Sequence, residues 1–176
     1  MPNFRRRYVL GGTWFFTVTL RDRRSSLLTD NIDALREVTR WTMRHYPFRI
    51  DAFVVLPEHL HAIWTLPSDD TDFSTRWRMI KTRFVRTLPN VEPLTGSMVE
   101  RGERGIWQRR FWERHIRNDR EFGHYADYCA INPVKHGLVR RAIDWPYSSF
   151  HRDMKRGIYN EDWGAQFDFP GDFAET

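Results

Sequence analysis

The sequence predicts an α+β fold in which an antiparallel sheet has helices packed mainly on one face. Two observations support this prediction: short segments in which apolar residues alternate, and longer segments in which they recur at helical spacing. Their order along the chain, β-α-β-β-α-β-α, indicates an antiparallel sheet covered by helices. With 176 residues, the chain has the size of one domain with its own core. We expect that domain at residues 1–156, followed by an acidic C-terminal segment at 157–176.

Four segments have the alternation that is typical of β-strands. In residues 13–20, Trp14 and Phe16 point to one face, and Phe15 and Thr17 point to the other. The same pattern predicts strands at 49–56 and 59–66, joined by a turn at Pro57-Glu58. A fourth strand is predicted at 107–112, among arginines.

Three segments have helical periodicity. The first covers 31–45, with a cap at Thr29-Asp30, and the second covers 74–88, with a cap at Ser74. Asn118 and Glu121 resemble a capping box that opens a third helix, which we expect to end at Pro133. Between the second helix and the fourth strand, residues 89–105 are predicted to form a long loop.

The segment that points most directly to chemistry is the pair His59 and His61. In a strand, residues two apart point to the same face. Two neighbouring imidazoles are half of a divalent-metal site. The alternative is a pair of solvent-facing histidines on a half-buried sheet, and the spacing by itself does not separate the two.

Charge and composition favour a nucleic-acid partner. The net charge is +5, and residues 157–176 contain five acidic residues and no lysine or arginine, which leaves +10 for residues 1–156. Arginines interspersed with aromatic residues are typical of nucleic-acid binding; the alternative is a solvated basic surface over an aromatic core. The single cysteine excludes an internal disulfide, and no apolar run is long enough to span a membrane. We expect a cytoplasmic protein.

Four motifs occur in order along the chain. They are Val-Leu-Pro-Glu-His-Leu-His at 55–61, Trp-Gln-Arg-Arg-Phe-Trp-Glu at 107–113, Asp-Tyr at 127–128, and Asn-Pro-Val-Lys-His-Gly-Leu-Val at 132–139. Together they closely resemble the REP-associated tyrosine transposases, relatives of the single-tyrosine HUH transposases. Residues 11–16 and 144–146 extend the resemblance over nearly the whole chain.

The resemblance implies a ferredoxin-like sheet of the HUH endonuclease type and the cleavage and rejoining of single-stranded DNA next to REP hairpins. It implies Tyr128 as the nucleophile that forms a 5′-phosphotyrosine link. It also implies that His59, His61 and Asn132 bind Mg²⁺ or Mn²⁺. Related enzymes have a glutamine in place of Asn132, and Pro133 disfavours helical geometry at this residue. The protein is expected to be a monomer or a homodimer.

Several assignments stay open at this level. Tyr125, one turn before Tyr128, is a rival nucleophile. A binding module for REP hairpins or structured RNA is an alternative function, and a zinc hydrolase that adds His115 or His124 to the histidine pair is another. The candidate DNA contacts are Arg5, Arg6, Arg7, Arg76, Arg78, Arg109, Arg110 and Lys135.

Overall fold

A four-stranded antiparallel sheet is the centre of the molecule. In the computed structural model, which describes residues 8–89 and 105–164, the strands are β1 (Thr13–Thr19), β2 (Arg49–Val55), β3 (His59–Thr65) and β4 (Trp112–Ile116). Their spatial order is β2-β3-β1-β4, and each pairing is antiparallel. β3 and β1 are therefore the central strands. The predicted α+β class and antiparallel sheet are confirmed.

The predicted fourth strand at 107–112 was wrong, because the strand lies further along the chain at Trp112–Ile116. Trp107 forms only an isolated bridge with Leu20, at the far end of β1. The chain then leaves the sheet over residues 109–111 and pairs again where Trp112 lies opposite Thr17. The alternation in 107–112 reflects the packing of Trp107 and Phe111 against the core rather than strand pairing.

Helices cover both faces of this sheet, whereas the sequence predicted them mainly on one face. They are α1 (Leu27–Asp30), α2 (Ile32–His45), α3 (Phe73–Thr87), α4 (Asp119–Lys135) and α5 (Phe150–Lys155), with a 3₁₀ turn at Ala142–Asp144. α2 and α3 pack on one face, where Phe16 and Trp64 of the sheet contact Trp77 of α3. The rings of Trp64 and Trp77 stack with their centroids 4.0 Å apart. The opposite face is covered by α4, so it is α4 that can bring its side chains to the histidine strand.

Two of the predicted helix caps differ in the structure. The N-cap of α3 is Asp72, which accepts a hydrogen bond from the backbone N–H of Thr75, and Ser74 lies inside the helix. Residues Thr29 and Asp30 belong to the short helix α1. The N-cap of α2 is Asn31, whose side chain donates to the carbonyl of Leu27 and does not cap α2. Aspartate and serine are both common caps, so the sequence alone did not separate Asp72 from Ser74.

The prediction that the third helix ends at Pro133 was also wrong, because α4 continues to Lys135. A proline inside a helix lacks one backbone donor, and only Val134 and Lys135 follow Pro133 in α4. The chain turns away from the helix axis after the C-cap His136, at Gly137, whose φ of 68° is in the left-handed region. The N–H groups of Gly137 and Leu138 donate to the carbonyls of Val134 and Pro133, both at 2.9 Å, which is a Schellman motif.

The described part of the acidic C-terminal segment contacts the domain. The hydroxyl of Tyr159 donates to the carboxylate of Asp127 on α4 at 2.9 Å, and Tyr159 and Trp163 pack against Phe150. Residues 165–176, like most of the predicted loop at 89–105, lie outside the described residues. Within the described ranges, no helix has both the length and the apolar character needed to cross a membrane.

Candidate active site

His59 and His61 lie on the central strand β3, on the face that α4 covers. Both side chains are fully buried, at 0% exposure, so the alternative of two solvent-facing histidines does not hold. Their ring centroids are 4.9 Å apart. Nδ1 of His59 is hydrogen-bonded to the carboxylate of Glu58 at 2.8 Å. A bond of this kind orients an imidazole and makes the other nitrogen, Nε2, the metal-binding one.

The second histidine is oriented in the same way by a neighbouring strand. Nδ1 of His61 is hydrogen-bonded to the hydroxyl of Thr17 on β1 at 2.9 Å, because the antiparallel register places these two residues opposite one another. Sequence reasoning assigned no role to Thr17 or Glu58. Glu58 adjoins the histidine motif, whereas Thr17 is recognisable only from the register of β1 against β3.

α4 brings Tyr128 to the histidines. The Tyr128 ring lies 5.0 Å from the His61 ring, centroid to centroid. Lys135, two turns later on α4, donates a hydrogen bond from Nζ to the Tyr128 oxygen at 3.4 Å. Its ammonium group also lies 4.9 Å from the centre of the same ring. His136 lies beside His59, with ring centroids 5.0 Å apart. The structure thus places Tyr128 and Lys135 together with the histidine pair.

Asn132 lies one turn after Tyr128 and is fully buried, at 0% exposure. Among the described residues, neither its amide oxygen nor its amide nitrogen makes a hydrogen bond. A buried polar group without a hydrogen bond costs about 1–3 kcal/mol, and such a cost is typical of a group that serves a ligand. An amide oxygen is a ligand that Mg²⁺ and Mn²⁺ accept.

Two imidazoles and one amide oxygen therefore fit the metal that the resemblance implies. The described residues contain no group of three His, Cys, Asp or Glu side chains that could hold a metal ion. A site here thus requires the Asn132 oxygen, or oxygens of the substrate, besides His59 and His61.

The electrostatics of the site favour a neutral imidazole next to a carboxylate. Burial, together with the charges of His59 and His136, holds the pKa of His61 well below its usual range, so its lone pair is available. Burial alone would raise the pKa of Glu58. The hydrogen bond and charge of His59 outweigh burial, however, and the pKa of Glu58 is lowered, so Glu58 is a carboxylate at neutral pH.

The alternative metal ligands and the alternative nucleophile that the sequence offered lie away from the histidine pair. The His115 ring contacts Trp14 at 5.1 Å, on the face that α2 and α3 cover, and His124 lies beside Tyr125. The zinc-hydrolase alternative therefore loses its third ligand. Tyr125 stacks on Phe15 at 4.5 Å, while Tyr128 is the tyrosine that contacts His61 and Lys135.

The predicted DNA contacts separate into four groups. Arg76 is buried, at 3% exposure, and donates to the carbonyls of Asp72 and Pro47 and to the carboxylate of Asp70. It stabilises the fold, so its prediction as a DNA contact was wrong. Lys135 lies at Tyr128. The exposed arginines are Arg78, Arg109 and Arg110, and Arg5, Arg6 and Arg7 lie outside the described residues.

Comparison with known proteins places this chain in a family. The REP-associated tyrosine transposase of Escherichia coli (strain K12) is 52% identical over 165 residues, which cover 94% of this chain and 92% of the relative. The putative REP-associated tyrosine transposase of Haemophilus influenzae is 46% identical over 169 residues, 96% of each chain. No protein-family model matches the chain.

A solved structure agrees with these relatives. A REP-associated tyrosine transposase bound to a REP hairpin superimposes with a TM-score of 0.81 at 51% identity, over 97% of this chain and 96% of that one. Fold and sequence together define a DNA-processing enzyme of the transposase class. The chain belongs to the REP-associated tyrosine transposases, which confirms the resemblance found in the motifs.

Proposed function

We propose that this enzyme cleaves and rejoins single-stranded DNA next to REP hairpins, through a 5′-phosphotyrosine link to Tyr128. The observation that carries the proposal is the contact of the Tyr128 ring with His61 and of its oxygen with Lys135. The REP hairpin bound to the solved relative supports the choice of substrate. The reaction takes place in the cytoplasm, and the enzyme acts as a monomer or a homodimer.

His59, His61 and Asn132 would hold the divalent ion, Mg²⁺ or Mn²⁺. When bound, such an ion withdraws charge from a phosphate oxygen as a Lewis acid. Glu58 and Thr17 fix the orientation of the two imidazoles for this role, by hydrogen bonds to the Nδ1 atoms of His59 and His61.

The reaction is a displacement at phosphorus. As the Tyr128 oxygen attacks, the O–P bond to tyrosine forms, the bond from phosphorus to the 3′ oxygen breaks, and the phenolic proton passes to solvent. The leaving oxygen takes up a proton and becomes a free 3′-OH. Lys135 holds the tyrosine oxygen by its hydrogen bond, and its positive charge offsets the charge that develops there. A 3′-OH that attacks the phosphotyrosine reverses these steps, so rejoining needs no external energy.

The experiment that tests this proposal is the substitution Tyr128→Phe. Wild-type protein, incubated with Mn²⁺ and end-labelled single-stranded hairpin DNA, should form a covalent adduct on a denaturing gel. The variant should lose the adduct and keep hairpin binding, because the ring remains and only the nucleophilic oxygen is removed.

The matched control is Tyr125→Phe, one turn away on the same helix, which should form the adduct at the wild-type level because the ring that stacks on Phe15 is kept. An adduct with Tyr128→Phe would overturn the assignment of the nucleophile. Hairpin binding by the wild type without any adduct would favour the alternative function, a non-catalytic module for REP hairpins or structured RNA.

A further inference from the structure

Two partly exposed aromatic rings lie next to the candidate active site, and we call Trp112 and Tyr125 the aromatic ledge. Trp112 is 39% exposed, and Tyr125 is half-buried. Both contact the buried ring of Phe15, at centroid distances of 5.8 Å and 4.5 Å. The same Phe15 ring lies 5.5 Å from His61 and 5.9 Å from Tyr128. The ledge and the active site thus share one buried ring.

The strand register fixes the direction of Trp112. It lies opposite Thr17 on β1, and Thr17 binds His61 on β3. Side chains of directly paired residues point to the same face of a sheet, and neighbouring strands are about 4.8 Å apart. Trp112 therefore lies on the active-site face, at the outer strand β4, where solvent reaches it.

Basic side chains surround the ledge. Arg114 follows Trp112 by two residues and points to the same face, and its side chain is 43% exposed. Arg117, at 58% exposure, shares the carboxylate of Glu121 with Arg114. Arg110 is also exposed. Exposed guanidinium groups near these rings suit a phosphate backbone, and two of them pair with the carboxylate of Glu121.

Resting on the function proposed above, we propose that the aromatic ledge stacks unpaired bases of the DNA strand next to the phosphate that Tyr128 attacks. Partly exposed aromatic rings among arginines are the arrangement that binds single-stranded nucleic acid without reading its sequence. The two ledge rings, which both contact Phe15, would stack bases of the DNA strand. This stacking would keep the phosphate of that DNA strand at Tyr128. Trp112 and Tyr125 are thus assigned to substrate positioning.

The test uses Tyr128→Phe protein, so that cleavage does not interfere, and two hairpin DNAs that carry either an unpaired thymidine flank or the same flank with abasic sites. Adding Trp112→Leu should weaken binding of the thymidine DNA by about tenfold, which is within the range for loss of one base stack. Trp112→Phe should weaken it less, because a ring remains. The abasic DNA should bind equally with and without Trp112→Leu, because it has no bases to stack.

The matched control is Trp41→Leu. Trp41 is a partly buried tryptophan of α2 that contacts Arg83 of α3, and both helices lie on the other face of the sheet. This substitution should leave both affinities unchanged. Equal binding of thymidine DNA by the Trp112→Leu and Trp41→Leu proteins would overturn the proposal. An equal loss of affinity for abasic DNA would also overturn it, since the Trp112 ring would then contact the hairpin. A changed oligomeric state would overturn it too, since the ring would then contact another subunit. If Trp112→Leu fails to fold, quenching of tryptophan fluorescence by the thymidine DNA should decrease in Trp112→Phe.

The outcome is separable from that of the proposed function. If wild-type protein forms no covalent adduct but the ledge variants still lose affinity for unpaired bases, the nucleophile assignment fails and the ledge stands. If the adduct forms on Tyr128 and the ledge variants bind normally, the ledge fails by itself.

Discussion

At the scale of single residues, Asn132 combines two demands that oppose one another. Its amide is fully buried and makes no hydrogen bond within the described part of the chain, which destabilises the folded protein. The same amide lies one turn from Tyr128, where the proposed metal site requires an oxygen ligand. We therefore expect function and stability to respond in opposite directions when this side chain is replaced.

The substitution Asn132→Leu should abolish metal-dependent adduct formation and raise the free energy of unfolding without metal by about 1 kcal/mol. An apolar side chain of similar size removes the buried polar group without leaving a large cavity. Urea unfolding followed by circular dichroism measures the stability, and the denaturing gel measures the adduct.

Asn118→Ala is the control for this substitution, because Asn118 also lies on the α4 segment but caps the helix. It should lower the free energy of unfolding by about 1 kcal/mol and keep adduct formation. Full metal-dependent activity of Asn132→Leu would contradict the role of Asn132 as a ligand.

At the scale of elements, the junction of β4 and α4 holds α4, the helix of Tyr128, against the sheet. Asn118 accepts a hydrogen bond from the N–H of Glu121 at 2.9 Å, as the predicted capping box requires. Glu121 differs from that prediction, because its carboxylate accepts from the backbone N–H and the guanidinium of Arg117 rather than from the N–H of Asn118. Arg114 on β4 contacts the same carboxylate, which ties the strand to the helix.

This junction should make stability depend on acid pH. The hydrogen bonds from Arg117, above all that of its side chain, lower the pKa of Glu121 to about 2, below its value in the unfolded chain. A lowered pKa in the folded state stabilises the protein above about pH 4.5, and this contribution is lost as the pH falls toward 2. Urea unfolding of wild type and Glu121→Gln should differ most at neutral pH, differ less at pH 3, and converge near pH 2. An unchanged difference at pH 3 would contradict this account.

The two glycines of the α4 segment should respond oppositely to alanine. At Gly137 the backbone has φ 68°, so Gly137→Ala should destabilise the protein by about 1 kcal/mol and loosen the last turn that carries Lys135. Gly123 lies inside α4 with open space around it, so Gly123→Ala should stabilise by about 0.5–1 kcal/mol. Thermal unfolding of both variants measures the contrast, and the same sign for both would contradict the Schellman geometry at Gly137.

The elements that the sequence predicted well are those with strong periodicity. β1, β2, β3, α2 and α3 lie within about two residues of their predicted bounds, because their apolar residues recur with the regular period of a strand or a helix. β4 was missed because its position depends on pairing with β1, where Trp112 lies opposite Thr17. The end of α4 was missed because a local rule for Pro133 competed with the packing of the whole helix.

At the scale of the whole molecule, the sheet separates the main hydrophobic core from the candidate active site. One face carries the main aromatic core with α2 and α3, and the other carries the histidines and α4. The motifs and the resemblance led to Tyr128, His59, His61 and Asn132. The contacts of Thr17 and Lys135 could not be predicted, since they depend on strand register and on the continuation of α4 beyond Pro133.

β3, which carries the histidines, and α4, which carries Tyr128, are in contact within one chain. This arrangement predicts whether two defective proteins can complement one another. If each subunit contains a complete active site, two subunits with different defects cannot combine to form an intact active site. A mixture of Tyr128→Phe and His61→Gln proteins should form no more covalent adduct with hairpin DNA than either protein does by itself. Recovery of cleavage on mixing would mean that helices are exchanged between subunits, and complementation of this kind is easily scored on the same gel.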